Sequence, residues 1–505
     1  MLNEERKELE YAQPLDINFW IDDPAFDQYI ANLLTRLCKK SIKLSKLKNS
    51  TITRHLKIML LNLWCVWLQD KKKYLFVSRD KFFYSTLLKQ YNPNSFSYKN
   101  VVVMDALVES KFIEIKIGQY RAKLKRRTRI RATPKLIKEI VKKCKIKPTA
   151  IQIARNAECI ILREKDADDP KKKIDVKYEE NKRIIEMRNN LIVYNNLLRR
   201  THIDIPTFSI AGVKQSSGLS FKINFEDDTG KFTRRIFSNK SWKDGGRFYG
   251  GWWQQVPNRK VSWRNEIRIN NKPTTEIDYS GIHIVFLYAK KKIDYWKEIA
   301  KDPYDLTEYG YVMDKKLRNL LKVVLLTSIN CEKGKKRDLT KAKQSVQYAI
   351  NVKQADEFAW VKKENLDIEK LIEDFADYHK PIRQYFYSGK GISLQYIDSM
   401  VAEKLINHFT KLNIPILCIH DSFIIQSQFA VGDGENSLEF MMWCYFQEVI
   451  RKENKIYAFG QLKSDAPLSA RDIVKNQSKI KSQYWTRVKR HNKRKFVINW
   501  YSTDK

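Results

Sequence analysis

Apolar residues recur at helical spacing through Phe26, Ile30, Leu33, Leu34 and Leu37, then run almost without a break from Leu56 to Leu68. This predicts two core helices between Asp16 and about Gln69. The period then shortens. Tyr74 to Val77 reads as a strand, Ser78 opens a helix over Asp80 to Gln90, a Tyr91-Asn92-Pro93-Asn94 turn follows, and another helix runs from about Ser97 to Ser110. Phe112 to Ile117 and Arg121 to Arg131 read as two strands joined at Gly118-Gln119. Asp166 to Lys173 breaks the pattern with charge blocks and a proline, so a linker is expected over 166–181, after an N-terminal region, 1–165. Helical spacing resumes over Lys182 to Arg200, and strand-like segments follow at Leu219 to Phe225 and Phe232 to Phe237. One enzyme-like domain spans 182–463 without an internal repeat. The basic tail, 464–505, with Tyr484, Trp485 and Phe496, is either a nucleic-acid contact or a solvated helix face.

Two apolar stretches in the second domain carry charge at their ends. In Glu276-Ile277-Asp278-Tyr279-Ser280-Gly281-Ile282-His283 a β-branched run stops at Tyr-Ser-Gly, so Asp278 projects from a strand end beside a tight turn. Downstream, Ile414 to Ile419 reads as a buried strand, His420-Asp421-Ser422 follows, and Phe423-Ile424-Ile425 resumes the apolar run, giving a hairpin with a carboxylate at its tip. Two carboxylates brought together there repel unless a divalent cation neutralises them. Asp278 and Asp421 are therefore the candidate catalytic pair.

Charge narrows the partner. The chain has 96 Lys+Arg against 58 Asp+Glu, a formal net charge of +38 spread along 505 residues, which points to a polyanion; an AT-biased, Lys-rich coding sequence is the alternative. In the N-terminal region the order helix, helix, basic hairpin is that of a winged helix-turn-helix. Tyr98, Lys99 and Asn100 would start its recognition helix, while Arg121, Lys123, Lys125, Arg126, Arg127, Arg129 and Arg131 would populate a wing gripping phosphates. An ordinary α+β lobe with a solvated basic strand has the same pattern. The seven cysteines are scattered without a Cys-x-x-Cys, and no apolar run approaches the roughly 18 residues of a membrane span. A cytoplasmic protein with no membrane partner is expected, its protein partners undetermined.

Gly245 to Gln255 is the densest glycine and aromatic stretch. Glycines permit close backbone approach, Arg247 can hold a phosphate, and the aromatic rings can stack on bases or wall a groove; a structural turn with two core tryptophans fits equally. Between the two aspartates a helix from Asp314 to about Thr327 places Arg318 and Lys322 one turn apart on one face.

Taken in order, these segments resemble the palm of family A DNA polymerases and of single-subunit, phage- and mitochondrial-type RNA polymerases. Asp278-Tyr279-Ser280 resembles the DNA polymerases' motif A, His420-Asp421-Ser422-Phe423 the RNA polymerases' motif C, and Arg318-x-x-x-Lys322 the motif B helix that binds the incoming triphosphate. Arg247 with its glycines is similar to the Thr-Gly-Arg segment that holds the primer-template, and Gln395, Asp398, Ser399 and Glu403 to the glutamine-bearing helix before motif C. The resemblance spans about Gly245 to Ile425. It implies an α+β right-hand fold, a palm with an antiparallel sheet and helical fingers. It also implies two Mg²⁺ ions, replaceable by Mn²⁺, on Asp278, Asp421 and the Tyr279 carbonyl. Arg318, Lys322, His283 and Asn330 would meet the nucleotide, Asn330 standing where the families carry an aromatic residue. Arg247, Gln254, Gln395 and His420 would meet nucleic acid.

The expected activity is template-directed nucleotidyl transfer onto a nucleic-acid 3′ end from nucleoside triphosphates, with a DNA polymerase favoured. A single-subunit RNA polymerase or primase is the main alternative, because Ser422 follows the RNA polymerase pattern while His283, at the position facing the sugar, fills space a ribose needs. A DNA-binding replication initiator without catalysis and a metal-dependent nuclease are the others. No proofreading carboxylate cluster or Walker-type glycine loop is apparent.

Overall fold

The computed structural model describes residues 9, 11–121, 124–144, 146, 150–167, 169, 172–208, 213–214, 220–221, 229–256, 263–331, 339–353, 357–464, 480 and 482–493. These form an α+β protein with several small sheets. The strand expected at Leu219–Phe225 falls mostly outside the described residues.

The N-terminal lobe follows its hydrophobic pattern. Helix α1 (Pro24–Cys38) starts at Asp23, whose carboxylate accepts the Phe26 N–H at 2.8 Å, and it buries Phe26, Tyr29, Ile30, Leu33, Leu34 and Leu37. Helix α2 (Asn49–Gln69) is buried on every side from His55 to Val66, which is why its sequence reads as apolar all round. Helix α4 (Lys99–Glu109) packs on it, and the lobe also has α3 (Lys81–Ser85) and α5 (Pro134–Lys143). Strands β1 (Gln13–Pro14), β2 (Leu75–Val77), β3 (Ile113–Lys116) and β4 (Thr128–Ala132) form a sheet in the order β1-β2-β4-β3, with Ile130 paired to both Leu75 and Ile115. A hairpin, Gln119–Arg121 on Leu124–Arg126, extends beyond β3 and β4. The helix expected over Asp80–Gln90 stops after Ser85. Ser85 and Thr86 hydroxyls donate to the Phe82 and Phe83 carbonyls, competing with the helix ladder there, and only a 3₁₀ turn at Lys89–Tyr91 follows.

Within the linker expected over 166–181, Lys173–Asp175 is tied into a sheet. Strand β5 (Ile160–Lys165) pairs antiparallel with β6 (Lys173–Asp175) and parallel with β8 (Arg234–Ser238), which pairs in turn with β9 (Ser241–Tyr249). Tyr91 joins the N-terminal lobe to this sheet by donating to the Val176 carbonyl at 2.9 Å and accepting the Leu162 N–H at 3.1 Å.

A second sheet holds the candidate site. It comprises β7 (Ile203–Asp204), β10 (Arg268–Ile269), β11 (Lys272–Tyr279), β12 (Ile416–Ile419), β13 (Ser422–Gln426) and β14 (Leu462–Ser464), with β13 on one edge of β11 and both β10 and β14 on the other. Helices α6 (Lys182–Arg200), α7 (Ile282–Lys290), α8 (Lys315–Asn330), α9 (Ile368–Tyr378), α10 (Gly391–Lys411) and α11 (Leu438–Asn454) surround it, and α10 packs on β9 and contacts α6, α7, α8 and α11. The tail helix α12 (Ser482–Asn492) is docked: buried Tyr484 donates to Asn271 at 2.6 Å, and Arg487 makes a bidentate ion pair with fully buried Asp204. No helix among the described residues is long and apolar enough to cross a membrane.

Two buried histidines set a pH dependence. His379 Nε2 faces the Pro303 carbonyl at 2.9 Å, so that nitrogen carries the proton and Nδ1 accepts from the Tyr288 hydroxyl at 3.1 Å. Burial pushes its pKa down to about 4, and that of His55, stacked on Phe96, to about 4 as well. A depressed folded pKa stabilises above the unfolded value, near 6.5, and that stability drains as pH falls toward the folded one. Stability is expected to drop by about 1–2 kcal/mol per histidine between pH 7 and 5. A melting temperature unchanged over that interval would mean that both rings take up protons without unfolding.

Candidate active site

Strand β11 delivers Asp278 to its C-terminal end, where Gly281 (φ +63°) turns the chain into α7; a Cβ there would lie 2.9 Å from Pro303 Cγ. Strands β12 and β13 form a hairpin whose two-residue turn is His420-Asp421, with His420 in the left-handed region (φ +61°), a strain of about 1 kcal/mol for a non-glycine residue. Asp278 pairs with Ser422, which sets the turn's Asp421 beside it. The two stretches separated in sequence thus converge.

Asp278 is open to solvent yet walled by protein. Its pKa is held well above the ordinary carboxylate range by desolvation first, then by the charges of Asp421 and Glu276, against the opposing Lys322 ammonium and a hydrogen bond from the Tyr279 backbone. Buried Glu276 accepts from the Ser422 hydroxyl at 2.7 Å and from Arg264 at 3.1 Å, while its Oε2 has no partner among the described residues. Ser422 thus braces the residue beside Asp421 onto β11.

Helix α8 supplies the cations opposite. Asp314 caps it by accepting the Leu317 N–H at 2.8 Å. Arg318 makes a bidentate pair with Asp302, and both Arg318 and Lys322 lie over the Tyr304 ring, at 5.1 and 5.8 Å. Lys322 is held below its usual pKa by burial and by Arg318 and Lys463, with Asp278 and Asp302 opposing. Asn330 lies elsewhere: at the helix end it donates to the Leu326 carbonyl and packs so closely on Gly391 that a Cβ there would fall 2.0 Å from its Oδ1. It braces α8 on α10 and stands apart from Arg318 and Lys322.

The glycine-aromatic stretch divides. Gly245 and Gly246 (φ +75° and +76°) form a bulge in β9, and a Cβ on Gly246 would meet Ser399 Oγ at 2.8 Å. The bulge aims Arg247 at Asp398 on α10, whose side chain is wholly buried; the pair is bidentate, and the His283 ring reaches the same carboxylate at 3.0 Å. Asp398 and Asp421 both favour the charged form of Arg247. Trp252 and Trp253 are core residues, Trp253 donating to the Cys418 carbonyl at 3.0 Å. Gln254 also donates to that carbonyl, at 3.0 Å, and to that of Phe248, at 2.8 Å. Gln254 therefore pins the turn to β12. His420 meets the Tyr249 ring edge-on at 5.3 Å, and the side chain of half-buried Gln395, one turn before Asp398, makes no hydrogen bond among the described residues.

In the N-terminal lobe Tyr98 and Lys99 are exposed at the start of α4, but Asn100 is fully buried beside Tyr84, so it is a core residue and presents nothing to a ligand. Exposed Arg127 stacks on Phe83 at 4.9 Å, and half-buried Arg126 lies beside it in sequence. Arg129 is drawn inward, over Phe76 at 5.1 Å and onto the Leu9 carbonyl at 2.8 Å.

Asp302, Tyr304, Asp398 as the anchor of Arg247 and His283, and Lys463 beside Asp278 carried no roles in the sequence pattern. Asp398 had a signal, a carboxylate among Leu394, Ile397 and Val401 on the buried face of α10. A scan of protein-family models gives no match, and no curated protein sequence matches significantly.

Proposed function

We propose that the protein is a template-directed nucleotidyltransferase, a DNA polymerase in preference to an RNA polymerase or primase, with the β11-β13-β12 sheet as palm and α8 as the triphosphate-binding helix. The observation that carries this reading is the convergence of Asp278 and Asp421 at one end of an antiparallel sheet, faced by Lys322 and Arg318. Strong carboxylate repulsion in a partly desolvated cleft favours a divalent cation. Among the described residues no three His, Cys, Asp or Glu side chains gather as a metal site. Mg²⁺ suits such a sparse set, because it binds through one or two carboxylates and substrate phosphates and keeps several waters. Asp278, Asp421 and the Tyr279 carbonyl would hold it, and when bound it supplies Lewis-acid activation of a 3′-hydroxyl and charge neutralisation on the phosphates. Lys322 and Arg318 bind the departing phosphates, and Arg247, fixed by Asp398, orients the strand end beside Asp421.

A nuclease has no need of the cations of α8. Ser422, the residue that resembles RNA polymerases, is accounted for by its bond to Glu276, which removes one argument for that alternative. The test is incubation with Mg²⁺ and primed or unprimed templates, offering dNTPs and NTPs separately. Extension of a primer with dNTPs is expected; absence of any incorporation would overturn the reading.

The N-terminal lobe, with α2, β2, α3, α4 and the β3-β4 hairpin in that order, is proposed as a winged helix that grips duplex phosphates through Lys99, Arg126 and Arg127. Affinity for DNA is expected to fall about 10-fold or more between 50 and 200 mM salt, as counterion release at a few phosphates requires. A salt-independent affinity in a filter-binding or anisotropy titration would remove this lobe and the +38 charge from the binding account.

A further inference from the structure

We infer that Lys463, on the short strand β14, is a third cation of the triphosphate site, binding the phosphates of the incoming nucleotide together with Arg318 and Lys322; the inference rests on the proposed function. Strand β14 returns from the end of the domain to the free edge of β11 and sets Lys463 directly opposite Asp278, with Ser280 N–H donating to the Gln461 carbonyl at 2.8 Å to continue the pairing. Residues facing each other across antiparallel strands share one face of the sheet, Cβ atoms about 4.5–5.5 Å apart. Lys463 therefore projects on the same side as Asp278, toward α8. Its charge is felt by both Lys322 and Asp302, so the three groups share one neighbourhood.

The charge arrangement asks for an anion. Arg318 is already paired with Asp302, but Lys322 and Lys463 form no ion pair with any described residue, and the Lys463 charge opposes that of Lys322. Two unpaired ammonium groups close to one another, beside carboxylates suited to a divalent cation, match a metal-chelated polyphosphate. Lysine also guards exposed sheet edges against pairing with other chains. That role predicts no effect on nucleotide use, which makes the two explanations separable.

Primer extension at varied dNTP concentration should be measured for the full-length protein and for Lys463→Ala, Lys463→Arg and Lys322→Ala, beside titration of each with Mg²⁺ and inorganic tripolyphosphate by calorimetry. Lys463→Ala is expected to raise the KM for dNTP and weaken tripolyphosphate binding about 10-fold, the size of one charge-assisted contact, with the KM for primer-template unchanged. Lys463→Arg should recover most of the loss, and Lys322→Ala should show a similar or larger one. Because Lys463 is exposed, the alanine variant should melt with the parent protein. An active parent with an unaltered dNTP KM in Lys463→Ala, or with a change confined to the primer-template KM, would overturn the inference while leaving the polymerase reading standing. A parent protein that incorporates no nucleotide would overturn both.

Discussion

Replacing Asp278 or Asp421 by alanine is expected to lower nucleotide incorporation by on the order of 1000-fold or more, since each is a proposed metal ligand whose loss would remove several kcal/mol of transition-state stabilisation. DNA binding should survive, because the basic surfaces of the N-terminal lobe and α8 are untouched. Stability should move the opposite way. The Asp278 carboxyl is raised by burial and by two neighbouring carboxylates, so the folded state holds its proton more tightly than the unfolded chain does. Stability therefore declines as pH rises from the unfolded pKa toward the folded one, so by neutral pH the Asp278 carboxyl costs the metal-free fold stability. Asp278→Asn is thus expected to raise the melting temperature in chelator at pH 7 while abolishing turnover. The gain should shrink as pH falls toward the carboxyl pKa of the unfolded chain. A full-activity variant, or one that melts lower than its parent in chelator, would remove Asp278 from the metal site.

Local chemistry made part of this legible in the sequence. The strand–turn–helix around Asp278 is marked by Gly281, where positive φ and the nearness of Pro303 make a side chain costly, and the hairpin around Asp421 by a polar pair between apolar runs. Helix α8 announces itself through Asp314 and its arginine–lysine face. Cross-strand pairing left no such trace. Lys463 gains its place only because β14 returns to β11, and in a chain with 96 Lys+Arg one more lysine carries no signal. The stretch 166–181 has the composition of a linker, and only the pairing of β6 with β5 puts Lys173–Asp175 in a sheet. Gln254 and Asn330 sit inside the segments that carry the resemblance, yet their hydrogen bonds go to backbone carbonyls of this chain.

Asp398→Ala is expected to destabilise the protein by about 3–5 kcal/mol, because it leaves the nearly buried Arg247 guanidinium without its counter-charge. Denaturant unfolding measures this directly. The same substitution should alter sugar choice. His283 is proposed to face the sugar of the incoming nucleotide, and its ring is buried with Nε2 held 3.0 Å from the Asp398 carboxylate. Asp398 accepts from Arg247, and the imidazole, its Nε2 3.0 Å from Asp398 and 3.4 Å from Arg247 Nη2, is held between the two as a wall. A wall excludes a 2′-hydroxyl by volume. His283→Gly is therefore expected to raise the use of NTPs relative to dNTPs by about 10–100-fold, the range that one small group can command in a fitted pocket, at a smaller loss of stability than Asp398→Ala. Asp398→Ala should relax the same ratio in the same direction, since it frees the ring without removing it. Asp398→Asn, which keeps an acceptor for one donor, should fall between. If the unsubstituted enzyme extends primers with NTPs as readily as with dNTPs, His283 excludes nothing, and RNA synthesis on this palm becomes the better account.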